Sequence, residues 1–237
     1  MSSPAQNAPS DLQEHLARLT ARGLVTRIER PINKDTELHP LARWQFQGGL
    51  RDEERRAFLF TNVVGAGGEA YDIPVLVGGL AASPEIYATG LGVPVEDIGR
   101  VWVNAIARPL APVLVENAPC QQVVMTGAEL QAVGLASLPV PISTPGFDSA
   151  PYLTATLCVT RDPDNKVQNM GTYRAALKAN DRLGVRMASR LSGALVRRGT
   201  VEARAIPRWR FVAAPSRPSL VGRARRRPRS PVAGGAP

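Results

Sequence analysis

The amino-acid sequence predicts an α+β fold. Helix-period and strand-period segments alternate over the first part of the chain, and strands predominate from about Val113 onward. Hydrophobic residues make up 44% and charged residues 21%, enough apolar material for a sizeable core. Aromatic residues contribute only 5%, so aliphatic side chains and alanine must fill it.

The elements follow in order. Met1 to Ser10 is polar and Pro/Ala-rich and is expected to be disordered. Asp11 to Arg22 has a capping Ser10 or Asp11, apolar spacing at Leu12, His15, Leu16 and Leu19, and a stop at Gly23, which predicts a helix. Leu24–Ile28 alternates as a short strand, and Asn33–Arg43 is a turn entering a second helix. His39, before Pro40, is expected to be a surface or capping residue. Ala57–Val63 and Pro74–Leu80 are predicted strands, with Gly65–Gly68 as a loop between them. Ser83-Pro84-Glu85 starts a helix that ends near Leu91, and Pro94–Ile106 supplies another.

Pro109–Val115 and Gln122–Met125 are predicted strands, Glu129–Pro141 is mixed helix and loop, and Ser143–Gly146 is a loop. Tyr152–Thr160 alternates as one half-buried strand. Asp162-Pro163-Asp164-Asn165 is a turn, Gln168–Tyr173 returns as the second arm of a hairpin, and Leu183–Met187 is a further strand. The domain division expected is a disordered 1–10, an α/β domain over 11–115, a strand-rich domain over 116–195, and a tail over 196–237.

Charge distribution limits the function classes. The chain carries +9, but Val196–Pro237 alone holds eleven arginines against one acid, Glu202, a balance of +10 that leaves the remainder at −1. A neutral body without aromatic stacking clusters argues against sequence-specific nucleic-acid recognition. The tail, rich in Arg, Pro, Ala and Gly, lacks periodicity except at Trp209-Arg210-Phe211-Val212 and is expected to be disordered. It has three readings: an anion-binding tail, a natural extension without a role, or a GC-rich gene read out of frame.

Two cysteines, Cys120 and Cys158, are too few for a disulfide framework, and with only His15 and His39 as partners they do not support a zinc site. The start has no signal-peptide pattern, and no stretch approaches the ~20 apolar residues of a membrane span. A cytoplasmic protein is expected. No GxGxxG opens a helix after a strand, so a Rossmann dinucleotide site is not supported.

The recognisable pattern lies at the hairpin. Thr160-Arg161-Asp162-Pro163-Asp164 is followed by Gln168-Asn169-Met170-Gly171-Thr172-Tyr173-Arg174, and then by Asn180-Asp181-Arg182-Leu183-Gly184-Val185-Arg186-Met187-Ala188. Upstream stand Asp11–Leu16, Arg22-Gly23-Leu24, Thr26-Arg27-Ile28, Phe58–Val63, Ile73–Leu80, Ala118–Val124 and Leu138-Pro139-Val140-Pro141. In this order, over roughly residues 11 to 195, the series resembles the UbiD family of decarboxylases.

The resemblance implies reversible decarboxylation of an aromatic or α,β-unsaturated carboxylic acid, making the protein a carboxy-lyase. It implies prenylated FMN, a divalent metal such as Mn²⁺ or Mg²⁺, and often K⁺. It implies an N-terminal α/β domain followed by a split β-barrel of flavin-reductase type, here incomplete, and homo-oligomeric full-length relatives. By position, Asn169 matches a metal ligand, whose hard amide oxygen suits such an ion. Thr172, Tyr173 and Arg174 match cofactor contacts, and Arg174 also matches the catalytic arginine that holds the substrate carboxylate. Arg186, Met187 and Ala188 match the next cofactor segment, and Leu191 and Ser192 a third.

Each match has a plainer alternative: Asn169 as a turn residue, Arg174 as a strand-end charge, Arg186 as surface decoration. Asp162 and Asp164 are better explained by the turn than as ligands. The expectation is that Asn169, Arg174 and Arg186 converge around a flavin phosphate and its metal ion.

The sequence also departs from the family. Arg190 stands where many members carry histidine, and after Ala194 the family's metal-binding glutamate and proton-donating acids are not found. That departure favours a truncated or out-of-frame chain, with poor solubility and little or no turnover. The competing functions are a flavin-binding split-barrel oxidoreductase, and nucleic-acid binding through the basic tail.

Overall fold

A computed structural model describes residues 7–108, 116, 122–161, 168–185 and 211–212, with backbone only at 157–161, 168–171 and 211–212. Helix α1 spans Leu12–Ala21. Its N-cap Asp11 accepts the Glu14 backbone N–H at 2.8 Å, and Glu14 reaches back to the Ser10 N–H at 2.7 Å. The first contact satisfies a donor the first turn leaves open, and the second ties the residue before the cap to the helix. The Ser10 backbone N–H, then the Ser10 hydroxyl and Arg18, hold the Glu14 carboxyl down to about 2.

Strands β1 (Val25–Ile28), β3 (Ala57–Phe60) and β6 (Val75–Val77) form a mixed sheet in the order β1-β3-β6. β1 pairs parallel to β3, and β6 antiparallel. Strand alternation then sorts the core. Ala57 and Leu76 join Leu19, Leu24, Ala82 and Ile86 in one cluster, which packs α1 and α3 (Pro84–Leu91) on one face. Phe58, Phe60, Val75 and Val77 join Ile32, Leu38 and Val63 in the other, which packs α2 (Leu38–Trp44) on the opposite face. Phe60 is the largest fully buried side chain, and the rest of the core is mainly aliphatic and alanine, as the low aromatic content requires. α3 begins at N-cap Ser83 with Pro84 at its first position and ends at Gly92, which takes the left-handed φ of 67°.

Several sequence expectations need correction. The strand expected over 57–63 breaks at Thr61-Asn62, because Val63–Val64 (β4) leaves for a second sheet of order β2-β4-β5, with β2 at Ile32–Asn33 and β5 at Ala70–Tyr71. The strand expected over 74–80 is confined to β6. The helix expected from Pro94 begins with a 3-10 turn at Val95–Asp97, and α4 itself is Ile98–Ala107. Gln122–Met125 is not a strand. His39 lies inside α2 and is half-buried, while Glu37 occupies the N-cap position.

Helix α5 (Gly127–Ala132) and a 3-10 turn at Gly134–Ser137 lead into the strand-rich part. The strand expected over 152–160 is two strands, β7 (Tyr152–Leu153) and β8 (Leu157–Arg161), which join different sheets. β8 and β9 (Gln168–Thr172) form the expected hairpin, with Thr160 opposite Asn169. β12 (Phe211–Val212) adds to β8, so this piece of the tail is a strand and not disordered. The other sheet has the order β11-β10-β7, with β10 at Ala175–Ala179 and β11 at Arg182–Val185. Sequence reasoning missed β10. Among the described residues these strands form separate three-stranded sheets and no closed barrel.

Asn180, in the β10–β11 turn, donates to the carbonyls of Gln131 and Ala132 at the end of α5, and its own carbonyl accepts from Leu135. Gly134 sits beneath it with φ 35°, where an added Cβ would lie 2.3 Å from the Asn180 oxygen. Only glycine admits this close approach.

Candidate functional site

Tyr173 and Arg174 are the two residues by which the chain crosses from the β12-β8-β9 sheet to the β11-β10-β7 sheet. A second crossover between these sheets, fully described, is Thr154–Thr156, linking β7 to β8. The two crossovers are joined. Tyr173 N–H donates to Thr156 O at 3.3 Å, and the Thr156 hydroxyl donates back to Tyr173 O. Thr156 is 1% exposed, so its hydroxyl needs this partner, while Tyr173 is half-buried.

Arg174 emerges from that junction with 61% of its side chain exposed. Ala176 pairs with Tyr152 across β10 and β7. Arg174, two residues earlier, is therefore a diagonal neighbour of Tyr152 on one face of the sheet. Its guanidinium lies over the Tyr152 ring, 4.7 Å from the centroid. Such stacking orients a cation without consuming its N–H donors. One Asp148 oxygen lies 3.6 Å from the guanidinium, close enough for ion pairing and too far for a direct hydrogen bond.

Asp148 is fixed from the other side. Its second oxygen accepts the Thr144 N–H at 2.9 Å, and its own N–H donates to Thr144 O at 2.9 Å. Arg43, on α2, donates to Ser143 O at 2.7 Å and to the Thr144 hydroxyl at 3.0 Å. The Ser143 hydroxyl is buried with no hydrogen-bond partner. His39, one turn before Arg43, is held below its usual range by burial and then by the Arg43 cation, while Asp148 pulls the other way.

The sequence-derived residues fall into three groups. Thr172, Tyr173 and Arg174 stand together at the β9 end and crossover, with Thr172 exposed and Tyr173 half-buried. Asn169 is placed by its backbone in β9. Arg186, Met187, Ala188, Leu191 and Ser192 lie outside the described residues, as does Arg190. Sequence reasoning missed Asp148, Tyr152, Thr156 and Arg43. The Thr144–Asp148 spacing, typical of a side chain closing its own loop, was the one available signal.

Arg174 and Thr172 offer exposed N–H and O–H donors at one edge, which fits an anionic group such as a flavin phosphate or a carboxylate. The metal is less well provided for. Among the described residues no three His, Cys, Asp or Glu side chains stand together. One amide oxygen from Asn169 falls short of the six ligands a hard divalent ion takes.

Comparison with known proteins agrees with this architecture. Residues 16–106 match the family model of the 3-octaprenyl-4-hydroxybenzoate carboxy-lyase N-terminal domain, and residues 113–208 match that of the 3-octaprenyl-4-hydroxybenzoate carboxy-lyase Rift-related domain. The chain belongs to the UbiD family. It is similar to an evolved dimeric form of the UbiD-class enzyme HmfF from Pelotomaculum thermopropionicum, solved in complex with prFMN, at 26% identity and a TM-score of 0.72, over 86% of this chain and 44% of that one. The FMN complex of HmfF from the same organism gives 28% identity and a TM-score of 0.66, over 84% and 40%. The apo 3,4-dihydroxybenzoic acid decarboxylase of Enterobacter cloacae gives 26% and 0.66, over 85% and 40%. The chain thus spans less than half the length of these relatives. Among the described residues no helix is long and apolar enough to cross a membrane.

Proposed function

We propose that this chain carries the cofactor-holding part of a non-oxidative, reversible decarboxylase acting on an aromatic or α,β-unsaturated carboxylic acid. One observation carries the proposal: within a UbiD-family domain, an exposed arginine is presented at a hydrogen-bonded crossover between sheets, oriented by an aromatic face. The relatives' complexes with prFMN and FMN support prenylated FMN as the cofactor. When bound, that cofactor supplies the electron sink that decarboxylation requires.

The chain's own residues bind and orient. Arg174 offers a planar, permanently charged fork to a carboxylate or phosphate. Thr172 supplies a hydroxyl donor beside it, and Tyr152 excludes water from one guanidinium face. In this proposal Asn169 contributes one oxygen to Mn²⁺ or Mg²⁺, and Arg186, Met187, Ala188, Leu191 and Ser192 complete the cofactor contacts. Proton delivery is not assigned to a described side chain. Asp148 is the one carboxylate within ion-pairing reach of Arg174 among the described residues, and Glu202 is the one carboxylate after Ala194. Low turnover by this chain alone is therefore expected.

The test is to produce the chain with a source of prenylated flavin and to measure CO₂ release from a panel of aromatic acids. Low but cofactor-dependent release, lost in Arg174→Gln, is expected. Robust turnover would show that the acid is present and unrecognised. NAD(P)H oxidation with ordinary FMN and no CO₂ release would replace the proposal with an oxidoreductase.

A further inference from the structure

Arg174 does not meet its ligand as a free cation. We propose that Asp148 is a positioning residue for Arg174: an internal counter-ion that sets how strongly the arginine takes an external carboxylate. The inference rests on the reading that Arg174 receives that carboxylate.

The geometry separates a fixed partner from a movable one. Asp148 is 14% exposed, with one oxygen tied to the Thr144 N–H. Its loop is fastened to α2 through Arg43 at both Ser143 and Thr144. Arg174 is 61% exposed and reaches Asp148 at 3.6 Å without a direct hydrogen bond. Orientation of the guanidinium comes from the Tyr152 ring at 4.7 Å, which does not use its N–H groups. The action of Asp148 on Arg174 is therefore electrostatic. It lowers the positive potential an arriving anion meets, and it leaves most of the fork open. A half-exposed pair of this kind is weak enough for a substrate carboxylate to compete with it. The arrangement favours a ligand that makes a bidentate, hydrogen-bonded contact over one offering charge alone.

The test measures benzoate binding to the full chain by calorimetry or NMR titration, with benzamide as a neutral probe of the same shape. Asp148→Asn removes the charge and keeps an acceptor for the Thr144 N–H, so the loop remains closed. Asp148→Ser keeps an acceptor too and serves as the second variant. Both are expected to bind benzoate about two- to fivefold more tightly than the unmodified chain, the range of an exposed ion pair. Benzamide binding should not change. In an Arg174→Gln background Asp148→Asn should have no effect, which a merely structural role would not produce. Benzoate binding that is lost in Arg174→Gln but is equal or weaker in both Asp148 variants overturns this inference and leaves the functional reading intact. Benzoate binding that is unaffected by Arg174→Gln, or absent throughout, overturns both.

Discussion

Replacing Thr156 with valine tests the joint between the two crossovers. Valine keeps the branched shape of threonine and puts an apolar methyl where the hydroxyl stood. That hydroxyl donates to Tyr173 O, and Thr156 is 1% exposed. Losing a buried hydrogen bond costs about 0.5–1.5 kcal/mol, and leaving the carbonyl without its donor raises the cost toward about 2 kcal/mol. At about 2–4 °C per kcal/mol for a chain of this size, the thermal midpoint should fall by about 1–8 °C. The backbone contact from Tyr173 N–H to Thr156 O remains, so the sheets should stay connected while Arg174 loses its fixed departure point. Denaturant unfolding followed by circular dichroism gives the stability change, and benzoate titration gives the effect on Arg174. Thr156→Ser retains the hydroxyl and should keep benzoate affinity even where the lost methyl lowers stability. Unchanged stability and unchanged affinity in Thr156→Val would refute the view that this hydroxyl sets the crossover.

Two further outcomes follow from other parts of the structure. Gly134→Ala should destabilise by about 1–3 kcal/mol, because φ is 35° and the new Cβ would press on the Asn180 carbonyl at 2.3 Å, and its unfolding midpoint in urea measures this. His39 is depressed below its ordinary value of 6.5 by burial, so the unfolded chain binds its proton more readily. The associated stability is present above about pH 6.5 and lost as pH falls through the lower folded value. Urea midpoints between pH 7.5 and 5.5 should therefore fall, and His39→Gln should flatten that slope.

The sequence made the local elements legible where local chemistry decides them. α1 was readable because its cap, its period and Gly23 agree, and α3 because Ser83 and Pro84 mark its start. The β8-β9 hairpin was readable from the two strand-period runs that pair in it, while the turn expected at Asp162–Asn165 lies outside the described residues. What failed were the places where one strand-like run serves two sheets. Phe60 to Val63 and Leu153 to Leu157 look continuous, because alternation reports which face a residue takes and not which sheet it joins. Ala175–Ala179 escaped notice because alanines and a lysine give little strand signal. In the site, Thr172, Tyr173 and Arg174 were found through their resemblance to a family pattern. Asp148, Tyr152 and Arg43 were not, because their contacts with Arg174 and with one another's loops join segments distant in sequence.

In the proposed function the crossover carrying Arg174 holds the cofactor. The most direct test of this claim is the amount of prenylated flavin retained per chain after co-production and gel filtration, read by absorbance and mass spectrometry. The unmodified chain should keep a substantial fraction and Arg174→Gln should lose most of it. Equal retention by the two, or none by the unmodified chain, would contradict the claim.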